Sequence, residues 1–259
     1  GPLYFIYKIV TTINLALELK IAYPEKNFVP IYWMATEDHD FEEINHVSVD
    51  EKNISWIQQT NGATGRLSTK TVEAAVMAYK AYLGVSKNGK KLAKLVENAY
   101  LHNDNLADAT RVLVNSLFEN YGLVIVNADD AVLKKQFSSI IKQDIVEQNS
   151  ANLTEKTSED LAQKGYKTQV NGRDINFFYL IDNLRERIIE KDDLYTVNHT
   201  EIKFTEEELL LEIEQHPERF SPNVIMRPLY QEVILPNIAY IGGGAEVSYW
   251  MQLKANFDY

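Results

Sequence analysis

Four ionisable residues, Glu37-Asp38-His39-Asp40, directly follow an apolar run from Phe28 to Ala35. An imidazole between carboxylates can pass protons, be oriented by a neighbour, or donate to a charge that develops during reaction. Asp38, His39 and Asp40 are therefore the candidate catalytic residues. His39 with two carboxylates also admits a metal ion, but Mg²⁺ carried by a nucleotide explains acidic residues here more simply, so no protein-held metal is expected. The competing reading is structural: Thr36 caps a helix whose first turn holds Glu37 and Asp38. His46, seven residues past His39, could share its face but reads first as structural or surface, and Asn45 beside it is a candidate binding residue.

A second group lies near the other end. Gly242-Gly243-Gly244 precedes Glu246 and an apolar pattern of Val247, Trp250, Met251 and Leu253. Three glycines let backbone approach a ligand and leave amides free, and a carboxylate two residues later can accept from ribose hydroxyls or an amine. The pattern is neither a Walker loop nor a Gly-x-Gly-x-x-Gly fingerprint, and a tight turn at a helix start explains it equally well. Arg227, before Pro228 in an apolar neighbourhood, needs a carboxylate or phosphate partner; Glu232 is the structural candidate. Lys8 and Tyr4, on the first helical segment, complete the candidate binding residues with Trp250. A third polar cluster, Asn127, Asp129 and Asp130, reads first as helix caps.

These residues need elements to hold them. Leu3, Ile6, Tyr7, Val10, Ile13, Leu17 and Ile21 repeat at helical spacing, and Pro24 closes the segment. The run at 28–34 is rich in β-branched and aromatic residues and reads as a strand. Helix then strand is half of an α/β unit and implies an earlier strand. Segments 47–49 and 53–57 read as short strands. Residues 68–120 are helical, with Asn88-Gly89 breaking the run. Leu123–Val126 is an apolar strand followed by a polar turn and a helix over about 131–148. A helix at 151–163 precedes a small antiparallel meander of strands at 168–170, 176–181, 185–189 and 194–197. Thr205 and Glu208 form a capping box for a helix to Gln215. Arg227-Pro228 stops a short segment, and Asn237–Ile241 reads as a strand entering the glycine turn.

The fold class is α/β, a doubly wound parallel sheet with ligands at its carboxyl edge. The expected division is core (1–67), helical insertion (68–120), core strand and helix (121–150), connecting insertion with the meander (151–220), and core strand, glycine turn and helix (221–259). With 26 basic and 37 acidic residues the net charge is 26 − 37 = −11, which argues against nucleic acid and anionic membrane as partners. Hydrophobic residues at 45% and charged residues at 24% describe an ordinary globular protein. Cysteine is absent, so disulfides, thiolate zinc sites and a cysteine nucleophile are excluded. No secretory leader is visible, and a cytoplasmic location is expected. The chain lacks an initiator Met and stops without a closing element, which reads as an excised core of something longer.

Taken in order, Gly1-Pro2-Leu3-Tyr4 with Lys8-Ile9, Pro30-Ile31-Tyr32-Trp33 with Glu37-Asp38-His39-Asp40 and Glu43-Ile44-Asn45, His216-Pro217-Glu218-Arg219-Phe220-Ser221, Arg227-Pro228-Leu229 with Gln231-Glu232, Leu235-Pro236, and Gly242-Gly243 with Glu246 and Tyr249-Trp250 resemble the cysteine-adding enzymes of bacillithiol biosynthesis, the BshC cysteine ligases. Residues 50–215 match only in general character. The resemblance implies a Rossmann-like core related to class I aminoacyl-tRNA synthetases and nucleotidyltransferases, with two connecting insertions. It implies a long coiled coil beyond this chain that makes a dimer. It further implies amide formation between cysteine and glucosaminyl-malate, the last step of bacillithiol synthesis; because that amide is uphill unless the carboxylate is activated, ATP/ADP with Mg is the expected cofactor.

On that resemblance Glu246 faces ribose hydroxyls or the cysteine amine over the glycine turn, His39 faces phosphates, Asp38 or Asp40 orients His39 or takes the amine proton, and Arg227 binds phosphate or malate carboxylates. Two departures stand out. Family members carry a strand and a Gly-Gln-Gln stretch before the Gly-Pro, and the His-x-Gly-His and lysine-rich signatures of synthetases are missing. Two alternatives stay open: a nucleotidyltransferase-like enzyme on the same core, and a noncatalytic domain that binds a nucleotide or sugar acid.

Overall fold

The structure is a computed structural model and describes residues 3–258; Gly1 and Pro2, which open the first motif, and Tyr259 lie outside the described residues. The chain divides into two compact units at Ala128/Asp129.

In the first unit, helix α1 (Tyr4–Ala22) leads to strand β1 (Ile31–Met34), which pairs in parallel with β4 (Val124–Asn127). Ile9 and Ile13 of α1 pack with Val114, Phe118 and Leu123 against this pair. Tyr32 lies in the same layer, and burial pushes its hydroxyl up to about 12. After β1 come a short helix, α2 (Phe41–Ile44), and a hairpin of β2 (His46–Val49) and β3 (Lys52–Ser55). Asp50 and Glu51 turn the hairpin with positive φ, as a two-residue connection requires.

Three helices follow: α3 (Glu73–Leu83), α4 (Lys87–Leu101) and α5 (Leu106–Phe118). Their second core gathers Phe41, Trp56, Leu67, Val72, Val76 and Val96. The break expected at Asn88-Gly89 lies instead at Gly84, whose φ is +67°. Gly89 sits inside the first turn of α4, where the Ser86 hydroxyl accepts from its N–H. It also lies so close to the Leu83 carbonyl that a Cβ would come within 2.0 Å. The asparagine–glycine pair is there for contact, not for a turn.

The second unit opens with α6 (Ala131–Lys135) and α7 (Ser138–Glu147), which split the single helix expected at 131–148, and continues with α8 (Asn149–Gln163). Its sheet has the order β8-β7-β6-β5-β9, with β5 (Phe177–Ile181), β6 (Leu184–Lys191), β7 (Leu194–Val197), β8 (Lys203–Phe204) and β9 (Phe220–Pro222), every pairing antiparallel. Helix α9 (Glu206–Gln215) carries the Thr205/Glu208 capping box. Helix α10 (Met226–Ile234), α11 (Gly244–Trp250) and α12 (Lys254–Asp258) complete it. Phe137 stacks obliquely against Phe177 and Tyr230 in its core.

Several expectations are corrected here. The expected parallel pairing is present between β1 and β4 and among the described residues is confined to them, while the expected antiparallel meander is the larger sheet, extended by β8 and β9. Segment 168–170 is not a strand: the Gln252 side chain accepts from the Gln169 and Val170 N–H groups and donates to the Val170 carbonyl, replacing a neighbouring strand. Pro228 does not stop a segment but lies in the first turn of α10, where its missing N–H costs nothing. Asn237–Ile241 is irregular. The Asn237 N–H turns back to the Leu235 carbonyl, and its side chain bonds Glu232, so the backbone is engaged locally.

The His216–Ser221 motif holds β9 to α9. Glu212 accepts from the Tyr179 hydroxyl (2.6 Å) and from Arg219 Nη1 (2.7 Å). Burial opposes ionisation of Glu212, but the hydrogen bonds from Tyr179 and Arg219 outweigh it, and its pKa is held below the usual value. A depressed folded-state pKa stabilises above the unfolded value, and that stability is lost as pH falls through the folded value. Glu212→Gln should therefore lower stability by about 1–2 kcal/mol at neutral pH, with the difference from wild type vanishing in acid below the carboxylate range. Urea unfolding at neutral pH and in acid below that range checks it; an equal deficit under both conditions would contradict the assignment.

Candidate functional site

In the first unit the candidate residues Asp38, His39 and Asp40 follow the end of β1. Met34 is opposite Asn127 in the parallel register, so the carboxyl ends of β1 and β4 stand side by side. The Thr36 hydroxyl donates to the Asn127 side-chain oxygen across that edge. Thr36 is buried and is not the helix cap; the helix start moves to Asp40, which accepts from the Glu43 N–H at 3.2 Å. The reading of Thr36 as a cap is thus corrected, because the chain needs residues 36–40 as a loop before α2 can begin.

That loop is pinned from outside. The Gly65 N–H donates to the Thr36 carbonyl (2.9 Å) and the Thr64 N–H to the Asp38 carbonyl (2.7 Å). Gly65 fits so tightly that a Cβ would come within 2.5 Å of Thr36 Cβ and 2.7 Å of its carbonyl oxygen. Within the loop Asp38 Oδ1 accepts from the His39 N–H at 2.7 Å and lies 3.4 Å from His39 Nδ1. Asp38, His39 and Asp40 are all exposed, whereas Glu37 is buried beneath them. Asn45 ends α2, and its side-chain oxygen lies 3.0 Å from His46 Nδ1. The loop thus presents an exposed imidazole with an adjacent carboxylate, suited to proton transfer or to meeting an anion. Tyr4 and Lys8 contact each other on α1, the ammonium 5.0 Å from the ring centre.

In the second unit a different group gathers around Tyr240. Trp250 stacks on it face to face, with ring centres 4.1 Å apart and 5° between planes. The Arg227 guanidinium lies 5.7 Å from the Tyr240 ring centre and donates to Gln231. Glu246 Oε1 accepts from the Tyr240 hydroxyl (2.7 Å) and Oε2 from the Gly243 N–H (2.6 Å). Burial, the largest influence, and the hydrogen bond to Glu246 raise the Tyr240 pKa despite the opposing Arg227 charge. Gly242 packs against the Tyr240 ring and Glu246, while Gly244 faces open space.

The expectation of free amides at this turn is therefore corrected in part: the Gly243 amide is already used by Glu246. A carboxylate offers about four acceptor positions, so Glu246 retains capacity for a hydroxyl or an amine. Arg227, Gly242, Gly243, Glu246 and Trp250 thus form one cluster, organised by a Tyr240 that sequence reading passed over. Gly65 was passed over as well; its only signal was the Asn61-Gly62 to Gly65 loop, which says nothing about what the loop rests on. Among the described residues no group of three or more His, Asp and Glu side chains is arranged to hold a metal ion. Among them, too, no helix is long and apolar enough to cross a membrane.

Asp129 and Asp130 are structural. Asp130 caps α6 through the Val132 and Leu133 N–H groups. Asp129 pairs with the buried Lys134 at 3.0 Å.

Comparison with known proteins covers the whole chain. Residues 1–259 match the family described as "Bacillithiol biosynthesis BshC, N-terminal Rossmann-like domain". A Flavobacterium johnsoniae protein named "Putative cysteine ligase BshC" is 57% identical over 258 residues, covering 100% of this chain and 48% of that protein. Proteins of the same name from Christiangramia forsetii and Staphylococcus haemolyticus are 52% and 30% identical, with 49% and 50% of their lengths covered. The chain spans about half the length of the curated relatives it matches.

Proposed function

The chain belongs to the BshC family of bacillithiol biosynthesis through its N-terminal Rossmann-like domain, and from that premise we propose that the full-length protein is a ligase that joins L-cysteine to glucosaminyl-malate through an amide bond. The observation that carries this reading is the exposed Asp38-His39-Asp40 loop at the carboxyl end of a parallel strand, the edge at which open α/β sheets receive ligands.

Amide formation from a free carboxylate and an amine is uphill, so the cysteine carboxyl must be activated. ATP with Mg²⁺ would supply that activation, the cysteine carboxylate taking a phosphoryl or adenylyl group from it with release of ADP or pyrophosphate. The amine of glucosaminyl-malate then attacks the activated carbonyl: a carbon–nitrogen bond forms, the carbon–oxygen bond to the phosphoryl group breaks, and the amine gives up a proton. His39, oriented by Asp38, meets the developing negative charge, and Asp38 receives the amine proton. Asp40 keeps the loop in place by capping α2. Taken by itself, the cluster around Tyr240 in the second unit is a nucleotide or substrate subsite: Glu246 is suited to ribose hydroxyls or an amine, and Arg227 to a phosphate or a carboxylate. Asn45, Lys8 and Tyr4 are assigned to substrate contact.

Substitution of the full-length protein tests this. His39→Ala should reduce cysteine ligation on the order of 100-fold or more with the fold intact. Glu246→Ala should raise the KM for its ligand, because it removes a binding contact. Wild-type rates in both variants would remove these assignments. ATP turnover that does not depend on cysteine would favour a nucleotidyltransferase instead.

A further inference from the structure

Helix α4 turns Gly89, Val96 and Ala99 inward. On the opposite face stand Lys87, Lys90, Lys91 and Lys94, all exposed and spaced i, i+3, i+4 and i+7. The stripe runs about 10 Å along the helix axis. The acidic residue of α4, Glu97, is bonded to Lys80 of α3 at 2.9 Å. Among the described residues none of the four lysines has an ion-pair partner.

This arrangement works against the helix that carries it. The pairs 87–90, 87–91, 90–94 and 91–94 each bring like charges together. The stripe begins in the first turn, where the helix dipole favours acids, and that turn holds none. Val85, just before the Ser86 cap, is 86% exposed, and the position against which it would staple is Lys90. A segment that breaks several local rules at once is expected where function selects it.

The charge of the rest of the chain narrows the occupant. Without the stripe, 26 − 4 = 22 basic residues face 37 acidic ones, a remainder of −15. An anionic membrane or a long nucleic acid would meet that negative remainder as well as the lysines. One acidic helix is narrow enough to meet the stripe alone, and carboxylates at i, i+3, i+4 and i+7 match its spacing. We propose that the α4 lysine stripe docks an acidic helix of a partner protein, with Val85 as an apolar contact at one end. The inference concerns association and stands apart from the ligase reading.

The test uses full-length protein and two fluorescent synthetic helices of one composition. The first carries its glutamates at i, i+3, i+4 and i+7 on one face; the second spreads them around the helix. By anisotropy the first should bind, more weakly as salt rises, and the second at least about tenfold more weakly. Lys90→Glu/Lys91→Glu makes all four pairs attractive and sets acids near the helix start. It should therefore bind the first peptide at least about tenfold more weakly while melting about 1–3 °C higher than wild type. Equal binding of the two peptides, or of one peptide by variant and wild type, would overturn the proposal. So would tighter binding of phosphatidylserine vesicles or of an RNA oligonucleotide than of the first peptide. A lower melting temperature in the variant with no peptide bound by wild type would overturn it as well, because the protein's own chain then covers the stripe. If that variant does not fold, Lys90→Gln/Lys91→Gln should weaken peptide binding in the same direction.

Discussion

Gly65→Ala should disable the full-length protein although Gly65 carries no functional group. The added Cβ would sit 2.5 Å from Thr36 Cβ, 2.7 Å from the Thr36 carbonyl oxygen and 2.9 Å from its Cα. Two of these contacts are with backbone, so no side-chain rotation relieves them. Either the 3-10 turn at Thr64–Arg66 or the loop from Thr36 to Asp40 must move. Movement breaks the Gly65-to-Thr36 and Thr64-to-Asp38 backbone hydrogen bonds and strains the Thr36–Asn127 contact. Overpacking of this kind costs about 1–3 kcal/mol. Displacing catalytic groups by about 1 Å costs on the order of 100-fold in rate. Activity should therefore fall far more than stability does. Gly172→Ala is the control, because its Cβ would meet neighbours only at 3.6–3.7 Å; it should leave both quantities nearly unchanged. Full activity in Gly65→Ala would mean that the loop's position does not matter to the reaction.

Lys134→Met should be the most destabilising single change in the second unit. Lys134 is 1% exposed, and its ammonium lies 3.0 Å from Asp129 Oδ1 and 3.1 Å from the Glu218 carbonyl. The ion pair does not guarantee net stability by itself, because both charges were taken out of water. Removing one partner is a different matter: the Asp129 carboxylate stays buried after losing this cation, at a cost of about 3–5 kcal/mol. The double variant Asp129→Asn/Lys134→Met should recover much of that loss. Chemical denaturation of the three variants gives the coupling energy directly. Additive losses would show that the pair acts as two separate residues.

The local elements were largely legible because periodicity and caps are local signals. The helix at 4–22, the strand before Glu37, the Thr205/Glu208 capping box and the meander with its acidic turns all follow from spacing within a few residues. The errors have a common cause. Gly89 reads as a breaker, but what selects glycine there is the nearby Leu83 carbonyl. Residues 168–170 and 237–241 have the composition of strands, yet a strand exists only with a partner. In the first case Gln252, more than eighty residues away, takes the partner's place. In the second, Asn237 satisfies itself locally.

The candidate site divides in the same way. Asp38, His39 and Asp40 announce themselves by type and position. The motifs that carry the family resemblance located Arg227, Glu246 and Trp250. No local pattern reveals that Tyr240 joins these three, or that Gly65 pins the candidate loop, because both facts are contacts between segments that the sequence does not pair.

The central claim is that the full-length protein forms a carbon–nitrogen bond between cysteine and glucosaminyl-malate. Mass spectrometry of purified full-length protein with cysteine, glucosaminyl-malate and ATP-Mg tests it most directly. The expected result is the cysteinyl amide, formed only when all three are present and lost in His39→Ala. Thermal stabilisation by cysteine and glucosaminyl-malate with no amide formed under the same conditions would contradict the claim and leave a binding domain in its place.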